Sequence, residues 1–261
     1  MTLQFTKYQG TGNDFIIFDN REGNMPSLSA EQVHRLCDRH FGIGADGLML
    51  MNRHEVYDFE MIYYNADGNI STMCGNGGRC MIRFAYDLGI HQYTYRFLAA
   101  DGLHEGEIDL DHDLIRLKMS DVKEVQYSHG QAVLHTGSPH FVKFVHRLEE
   151  VDVVESGRLV RYSKPFETEG VNVNFVENIN EDTIQVRTYE RGVEDETLSC
   201  GTGVTAAALV SAHNQHGFNK VNIKTPGGHL SVEFDKNSDS QYENIWLIGP
   251  ACKVFEGSIN I

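Results

Sequence analysis

The chain contains Cys74-Gly-Asn-Gly-Gly-Arg-Cys80 and, 126 residues later, Cys200-Gly-Thr-Gly-Val-Thr-Ala206, two copies of one pattern in which a cysteine precedes glycines and an apolar run. The same offset places Gly12-Asn-Asp-Phe15 on Ser138-Pro-His-Phe141. A single register that links distant segments indicates an internal duplication. Because 261 residues are enough for two domains, the sequence predicts two related domains with one cysteine segment in each.

Each cysteine segment leads into a predicted helix. These helices are expected over residues 78–88 and 204–216, with Gly89 and Gly217 as their C-terminal stops. Residues 203–212 are almost wholly small or apolar, which is typical of a helix buried on all sides. Alternating polar and apolar residues predict about eight short strands around each helix. The predicted fold is α+β, with two pseudo-symmetric domains, each an antiparallel β-sheet or barrel wrapped around a central α-helix.

The predicted domain boundary lies in a polar connector over residues 121–130. The first domain is expected to cover residues 1–120 and the second to cover residues 121–252. Residues 253–261 alternate like a strand and are expected to return to the first domain. Within the first domain, Ser29 is expected to cap a helix over residues 30–39, with Gln32 as its capping-box partner.

Composition and charge limit the classes of function. A formal net charge of -15 argues against nucleic acid and anionic membranes as partners, since both would be repelled. Residues 1–7 lack a basic and then apolar leader, and no apolar run reaches the length of a membrane span. The five cysteines are an odd number without CxxC spacing, which favours reduced thiols over disulfides or a zinc site. We therefore expect a cytoplasmic protein without a metal.

The two repeated cysteines have the setting of reactive thiols. A free cysteine has a pKa of about 8.5, and the N-terminus of a helix can lower this to roughly 3.5–7.5. The glycines after Cys74 and Cys200 leave backbone N–H groups open to a carboxylate. Two acid/base groups on opposite sides of a substrate are what inversion of a carbon centre requires. The other cysteines, Cys37, Cys80 and Cys252, are expected to be core residues.

Eight segments give the chain a close resemblance to the diaminopimelate epimerases, amino-acid epimerases that work without pyridoxal phosphate. They occur in the expected order at residues 7–15, 38–47, 64–68, 73–80, 138–140, 171–173, 189–192 and 199–203. The resemblance implies an active site in the cleft between the domains, a homodimer and no cofactor. It also implies interconversion of LL- and meso-diaminopimelate in the synthesis of lysine and of a peptidoglycan precursor.

The resemblance also implies a role for each matching residue. Cys74 and Cys200 would act as a thiolate and thiol pair, with His140 and Glu190 setting their protonation. The α-carboxylate would be bound by Asn13, Gly75, Asn76, Gly201 and Thr202. Glu190 would bind the α-ammonium group, and the far end of the substrate would be held by Asn65, Asn172 and Arg191. The chain departs from the family at two substrate-facing positions, with Ser138 in place of a common Asn and Gly47 in place of a frequent Gln.

Three other functions remain open at this point. A racemase or epimerase of the same fold could act on proline, hydroxyproline or another amino acid, but Arg191 and the Asn residues favour a substrate with a second polar head. A Cys/His acyl-transfer enzyme could use His140 to activate a thiolate. That chemistry needs one nucleophile and leaves the second cysteine segment unexplained. A redox or anion-binding protein could use the thiol pair.

Overall fold

The computed structural model describes residues 1–261, which divide into two compact units. The first unit is Met1–Leu117 with Pro250–Ile261, and the second is Lys118–Gly249. Strands dominate both units, and each contains two α-helices. The predicted α+β fold is confirmed.

The elements follow one another in the same general order in both halves of the chain. Residues 2–118 form β1 (Thr2–Gly10), β2 (Asn13–Asn20), α1 (Ala30–Cys37), β3 (Gly47–Asn52), β4 (Phe59–Asn65), β5 (Ile70–Ser71), α2 (Gly75–Asp87), β6 (Thr94–Ala99), β7 (Gly102–Asp109) and β8 (Leu114–Lys118). Residues 125–249 form β9 (Val125–Ser128), β10 (Gln131–His135), β11 (Pro139–Phe144), a 3-10 turn (Leu148–Glu150), α3 (Val153–Arg161), β12 (Asn172–Asn178), β13 (Thr183–Glu190), β14 (Asp195–Thr197), α4 (Gly201–Val210), β15 (Gly217–Thr225), β16 (Gly228–Ser238) and β17 (Gln241–Gly249). The last strand is β18 (Cys252–Asn260), which pairs antiparallel with β1.

Strand pairing is mixed rather than purely antiparallel. In the first unit, β2 pairs parallel with β3 and β4 pairs parallel with β6. In the second unit, β11 pairs parallel with β12 and β13 pairs parallel with β15. Each of these four connections contains a helix, because a parallel pair needs a long crossover whereas a hairpin turn yields an antiparallel pair. The parallel pairs occupy corresponding places in the two units, as a duplication predicts.

The helices α2 and α4 are the central helices of their units. The helix α2 packs on β1, β2 and β7, and α4 packs on β10 to β13 and on β15 to β17. Residues 203–209 are all fully or almost fully buried, which confirms the prediction from their apolar composition. Both helices begin three residues earlier than predicted, so each cysteine becomes the N-cap residue of its helix.

The ends of the helices show which local signals were sufficient. The capping box at Ser29 and Gln32 is present, with hydrogen bonds of 3.2 and 2.9 Å between each side chain and the other residue's backbone N–H. Gly89 follows the end of α2 at φ +90°, in the left-handed region that favours glycine. Gly217 was wrong as a helix stop because α4 already ends at Val210 and Gly217 begins β15. None of the helices has the length and apolar character needed to cross a membrane.

Candidate functional site

The first cysteine lies at the N-terminus of a buried helix and beside a strand end. Cys74 is half-buried and caps α2 in an extended conformation. Its Sγ lies 3.6 Å from Oδ1 of Asn13, the first residue of β2. The same oxygen accepts a hydrogen bond of 3.3 Å from Nδ2 of Asn76, in the first turn of α2. The structure therefore brings Asn13, Cys74, Gly75 and Asn76 together.

A network of charges anchors Asn13 from the side opposite Cys74. Asn13 donates from Nδ2 to Oδ2 of Asp46 over 2.7 Å, and Arg39 contacts the other Asp46 oxygen at 2.8 Å. Arg39 also forms a bidentate pair with Asp14, at 3.0 and 2.7 Å, and Lys7 contacts Asp14 at 2.8 Å. Burial alone would raise the pKa of Asp14, but the hydrogen bonds from Arg39 and Lys7 outweigh burial and lower that pKa to about 2.

A buried arginine forms hydrogen bonds to the first turn of α2. Arg79 is 0% exposed and donates to Oδ1 of Asn76 at 3.0 Å and to Oγ1 of Thr11 at 3.2 Å. It also donates to the carbonyl oxygen of Gly75 at 3.3 Å and to that of Pro250 at 3.5 Å. Burial lowers the pKa of Arg79 to about 10, so its guanidinium stays charged at neutral pH. All these acceptors are neutral oxygens, so the positive charge lies at the base of the Cys74 helix without a carboxylate partner.

Two further predicted residues lie at the same sheet edge as Asn13. Gly47 begins β3 and pairs with Asn65 at the end of β4. A Cβ on Gly47 would lie 2.5 Å from the ring of Tyr63, so no longer side chain fits at this position. Any role of residue 47 toward a ligand must therefore come from its backbone. Asn65 is half-buried and forms a backbone hydrogen bond of 3.0 Å to Asn69.

The second cysteine repeats the geometry of the first in the other unit. Cys200 caps α4, is 7% exposed, and has its Sγ 3.5 Å from Oγ1 of Thr202. Gly201 and Thr202 form the first turn of α4, and Thr136 donates to the carbonyl oxygen of Thr202 at 2.8 Å. The two cysteines thus have the helix-terminal setting in which backbone N–H groups and the helix dipole favour negative charge.

His140 is a buried and neutral histidine. It is 0% exposed, and its Nδ1 lies 3.1 Å from Nδ2 of Asn174. Asn174 also donates to the Phe141 carbonyl at 3.1 Å and accepts from Thr188 at 3.0 Å, which fixes its amide with the nitrogen toward the ring. The ring proton is therefore assigned to Nε2, which has no hydrogen-bond partner here. Burial, and to a smaller extent the charges of His135 and Arg191, lowers the pKa of His140 to about 3.

Ser138, Asn172 and Arg191 form a second polar cluster in the same unit. Asn172 donates from Nδ2 to Oγ of Ser138 at 2.9 Å and accepts from the backbone N–H of Arg191 at 2.9 Å. The guanidinium of Arg191 contacts Ser138 Oγ at 3.3 Å and the Glu169 carbonyl at 2.8 Å. The side chain of Arg191 is thus held in place while the residue stays exposed. Three of the residues expected at the far end of a substrate lie together, and the hydroxyl of Ser138 takes part directly.

Glu190 and the remaining cysteines complete the predicted set. Glu190 is half-buried and accepts a hydrogen bond of 2.8 Å from Oγ1 of Thr197. Cys37 and Cys80 are core residues as expected, and burial raises the pKa of both thiols, to about 12 for Cys37. The core prediction was wrong for Cys252, which is half-buried in β18.

Three residues at the site were not assigned a role from the sequence. Asp46 and Arg79 lie within two of the eight segments that carry the family resemblance, and Asn174 directly follows a third. One signal could have found Asn174, because Asn172 and Asn174 lie two apart in a buried stretch of β12 whose neighbours Val173, Phe175 and Val176 are apolar, and so share one face. Polar residues repeated on one face of a buried strand indicate a hydrogen-bonded site.

Because burial lowers the pKa of His140, the free energy of unfolding is expected to fall as the solution becomes more acidic. The unfolded chain takes up a proton near the ordinary value of 6.5, whereas the folded chain does so only near 3. The stabilisation is therefore complete above pH 6.5 and is lost as the pH falls toward 3, by about 1.4 kcal/mol per pH unit. We expect His140→Gln to remove about 2 kcal/mol of the difference in unfolding free energy between pH 7 and pH 5. Urea denaturation at both pH values measures this; equal pH slopes for the two proteins would contradict it.

Comparisons with known proteins define first the fold and then the family. A crystal structure of a Bacillus anthracis phenazine biosynthesis protein of the PhzF family superimposes with a TM-score of 0.76, at 15% identity and over 100% of both chains. A probable proline racemase from Agrobacterium radiobacter superimposes with a TM-score of 0.69, at 16% identity, over 99% of this chain and 93% of that one. At these identities the likeness concerns the fold, which is shared by racemases and isomerases.

The sequence comparisons are more specific. The sequence model of the diaminopimelate epimerase family matches twice, over residues 5–127 and 132–254. The diaminopimelate epimerase of Flavobacterium psychrophilum is 48% identical over 98% of this chain and 100% of its own length. The chain belongs to the diaminopimelate epimerase family.

Proposed function

We propose that this protein epimerises LL-diaminopimelate to meso-diaminopimelate in lysine and peptidoglycan-precursor synthesis, by a cofactor-independent reaction between two bases. The observation that carries the proposal is the pair of cysteines, each the N-cap of the buried central helix of its unit. Relatives that match over 99–100% of their own length carry the name diaminopimelate epimerase. Because epimerisation interconverts stereoisomers, the protein is an isomerase.

The two thiols divide the proton transfers between them. One, as a thiolate, removes the α-proton from one face of the substrate, while the other, as a thiol, delivers a proton to the opposite face. The reverse reaction exchanges their roles, so the pair shares one proton and titrates as a unit.

Negative charge develops on the α-carboxylate as the proton leaves. The backbone N–H groups at the first turns of α2 and α4 belong to Gly75, Asn76, Gly201 and Thr202, and they are the donors for this charge. Preorganised donors of this kind stabilise a transition state because they need not reorient when charge appears. Closure of the site against water would strengthen them further. Asn13 completes the carboxylate site, and Glu190 accepts hydrogen bonds from the α-ammonium group.

The polar cluster of Ser138, Asn172 and Arg191 supports recognition of the far end of the substrate. The hydrogen bonds of Arg191 to Ser138 and to Glu169 hold its guanidinium before a ligand arrives. A fixed guanidinium can form a bidentate pair with a carboxylate and loses less side-chain entropy on binding. Ser138 Oγ already accepts from Asn172 and Arg191, so its hydroxyl proton is directed elsewhere and can be donated to the substrate. Asn65 is assigned to the same end.

His140 contributes a neutral ring rather than a charge. Its Nε2–H is a buried donor without a partner, and Asn174 holds the ring through Nδ1. A neutral donor stabilises a thiolate nearby without forming a fixed ion pair, so it permits the thiol to regain its proton during the reverse step. Together with Glu190, His140 sets the protonation of the thiols.

We also propose that the protein is a homodimer in the cytoplasm. The strand β18 carries Val254 and Phe255, which are 54% and 46% exposed, and exposed apolar residues on a strand favour contact with a second copy. Light scattering of the purified protein measures its mass directly. A mass of 29.5 kDa, that of one chain, at all concentrations would contradict the dimer.

Exchange of the α-proton in deuterated water tests the function. Reduced enzyme is given LL-diaminopimelate without added cofactor, and parallel samples receive L-proline and trans-4-hydroxy-L-proline. We expect deuterium at one α-carbon of diaminopimelate together with inversion, and no exchange in the two imino acids. Exchange in an imino acid alone would retain the two-base chemistry but contradict the substrate. Absence of exchange in all three would contradict the epimerase proposal and favour an acyl-transfer enzyme.

A further inference from the structure

A continuous chain of side-chain amides links a carboxylate to a buried guanidinium across the Cys74 site. Asp46 accepts from Nδ2 of Asn13 at 2.7 Å, and Oδ1 of Asn13 accepts from Nδ2 of Asn76 at 3.3 Å. Oδ1 of Asn76 in turn accepts from Arg79 at 3.0 Å. The Sγ of Cys74 lies beside this chain, 3.6 Å from Oδ1 of Asn13. The orientation of one amide therefore decides which atom faces the thiol.

The two ends of the chain fix that orientation. A guanidinium only donates hydrogen bonds, so Arg79 requires the oxygen of Asn76 on its side. A carboxylate only accepts them, so Asp46 requires the nitrogen of Asn13 on its side. Asn13 and Asn76 are left with an oxygen facing a nitrogen, which satisfies both. A reversal of Asn13 would place its oxygen against the Asp46 carboxylate and its nitrogen against that of Asn76, and each contact would be repulsive.

The orientation of Asn13 affects whether Cys74 keeps its proton. A hydrogen-bond acceptor beside a thiol stabilises the protonated form, whereas a donor beside it stabilises the thiolate. We propose that Asp46 is a positioning residue that acts through Asn13 and favours the protonated thiol of Cys74 in the free enzyme. The inference deepens the proposed function, on which it rests, because it concerns one of the two thiols that exchange roles during turnover.

An opposing effect at the same site shows why a single amide can decide the outcome. The charge of Arg79 and the N-terminus of α2 both favour the thiolate of Cys74. The oxygen of Asn13 opposes them at short range and in a direction set by Asp46. Asp46 lies at the outer end of the chain, and 43% of its side chain is exposed. It can therefore be replaced with less risk to the fold than the buried Arg79.

Alkylation of Cys74 by iodoacetamide measures the thiolate directly, because the thiolate is the reacting form. The enzyme carries Cys200→Ser, no substrate is present, and mass spectrometry of the Cys74 peptide follows the reaction from pH 5 to pH 10. Asp46→Asn removes one of the two contacts that oppose a reversal of Asn13, so the NH2 group of Asn13 faces Cys74 in a larger fraction of molecules, while the contact with Asn76 still opposes the reversal. We expect the rate at neutral pH to rise about tenfold and the midpoint of the profile to move to lower pH.

The loss of a negative charge would also favour the thiolate, so a second background separates the two causes. In Asn13→Ala no amide remains to reverse, and Asp46→Asn then changes only the charge. We expect a rise of less than about threefold in that background. An equal rise in both backgrounds, or no rise in either, would overturn the inference. Asp46→Ser replaces Asp46→Asn in the same cycle if the latter does not fold. Since no substrate is used, this result and the epimerase assay can fail independently.

Discussion

Replacing either Cys74 or Cys200 with alanine is expected to lower kcat/KM for epimerisation by at least about a thousandfold. General acid or base catalysis by a positioned side chain contributes roughly 100- to 10,000-fold, and each variant loses the acid or base on one face of the α-carbon. The two losses should be similar, because inversion needs both transfers in every turnover. Epimerisation assays in both directions, with each variant, measure this effect.

The same variants separate a two-base reaction from a one-base reaction. With one thiol left, the stereoisomer whose α-proton faces that thiol can still exchange with solvent, but without inversion. We therefore expect each variant to incorporate deuterium slowly into one stereoisomer only, and the two variants to prefer opposite stereoisomers. Equal exchange of both stereoisomers by one variant would contradict the assignment of the thiols.

Cys80→Ala is the matched control for these variants. Cys80 lies in the helix that Cys74 caps but is 0% exposed, and burial raises the pKa of its thiol. Its replacement should reduce the unfolding free energy by about 1–2 kcal/mol through lost packing and leave kcat/KM within a few-fold. A large loss of activity in this control would mean that the alanine variants act through the helix rather than through the thiol.

The repeated cysteine segments were sufficient to predict two related units, each with a buried central helix. Local rules were sufficient for the capping box at Ser29 and for the buried character of residues 203–209, because both depend on neighbours within one turn of helix. Parallel pairing of β2 with β3 and of β11 with β12 was not predicted. Pairing direction depends on the path that the chain takes between two strands, and the strand residues themselves do not encode this path.

Some features of the site follow from one segment of sequence, whereas others depend on contacts between distant segments. The position of each cysteine before a helix follows from its own segment. The same segment also predicts the backbone N–H groups in the first turn of that helix. The contact of Asp46 with Asn13 joins residues 33 positions apart, and that of Thr188 with Asn174 joins neighbouring strands. The role of Asn174 does not follow from its own segment, because its partners lie on β11 and β13 and meet it only when these strands pair with β12. Polar residues that orient other side chains are thus harder to recognise from sequence than the reactive residues.

Gly203→Ala is expected to have the second large effect, a fall in kcat/KM of about a hundredfold. A Cβ on Gly203 would lie 2.4 Å from Oδ1 of Asn174 and 3.3 Å from Sγ of Cys200. Asn174 is 0% exposed and is held by hydrogen bonds to His140, Phe141 and Thr188, so its amide cannot move aside without breaking them. Displacement of a catalytic group by about 1 Å can cost a hundredfold in rate.

The duplication supplies the matched control, since Gly77 occupies in α2 the place of Gly203 in α4. A Cβ on Gly77 would meet Sδ of Met49 at 3.2 Å and Cβ of Cys74 at 3.5 Å, and an unbranched methionine can adjust. Alanine is favoured over glycine within a helix by about 1 kcal/mol, so Gly77→Ala should keep its stability and lose less than tenfold in kcat/KM. Gly203→Ala gains the same helical preference, but overpacking lowers its free energy of unfolding by about 1–3 kcal/mol. Steady-state kinetics and urea denaturation of both variants test this contrast. Equal losses of activity in the two variants would show that the first turn of each helix, and not the amide of Asn174, limits the space beside the thiols.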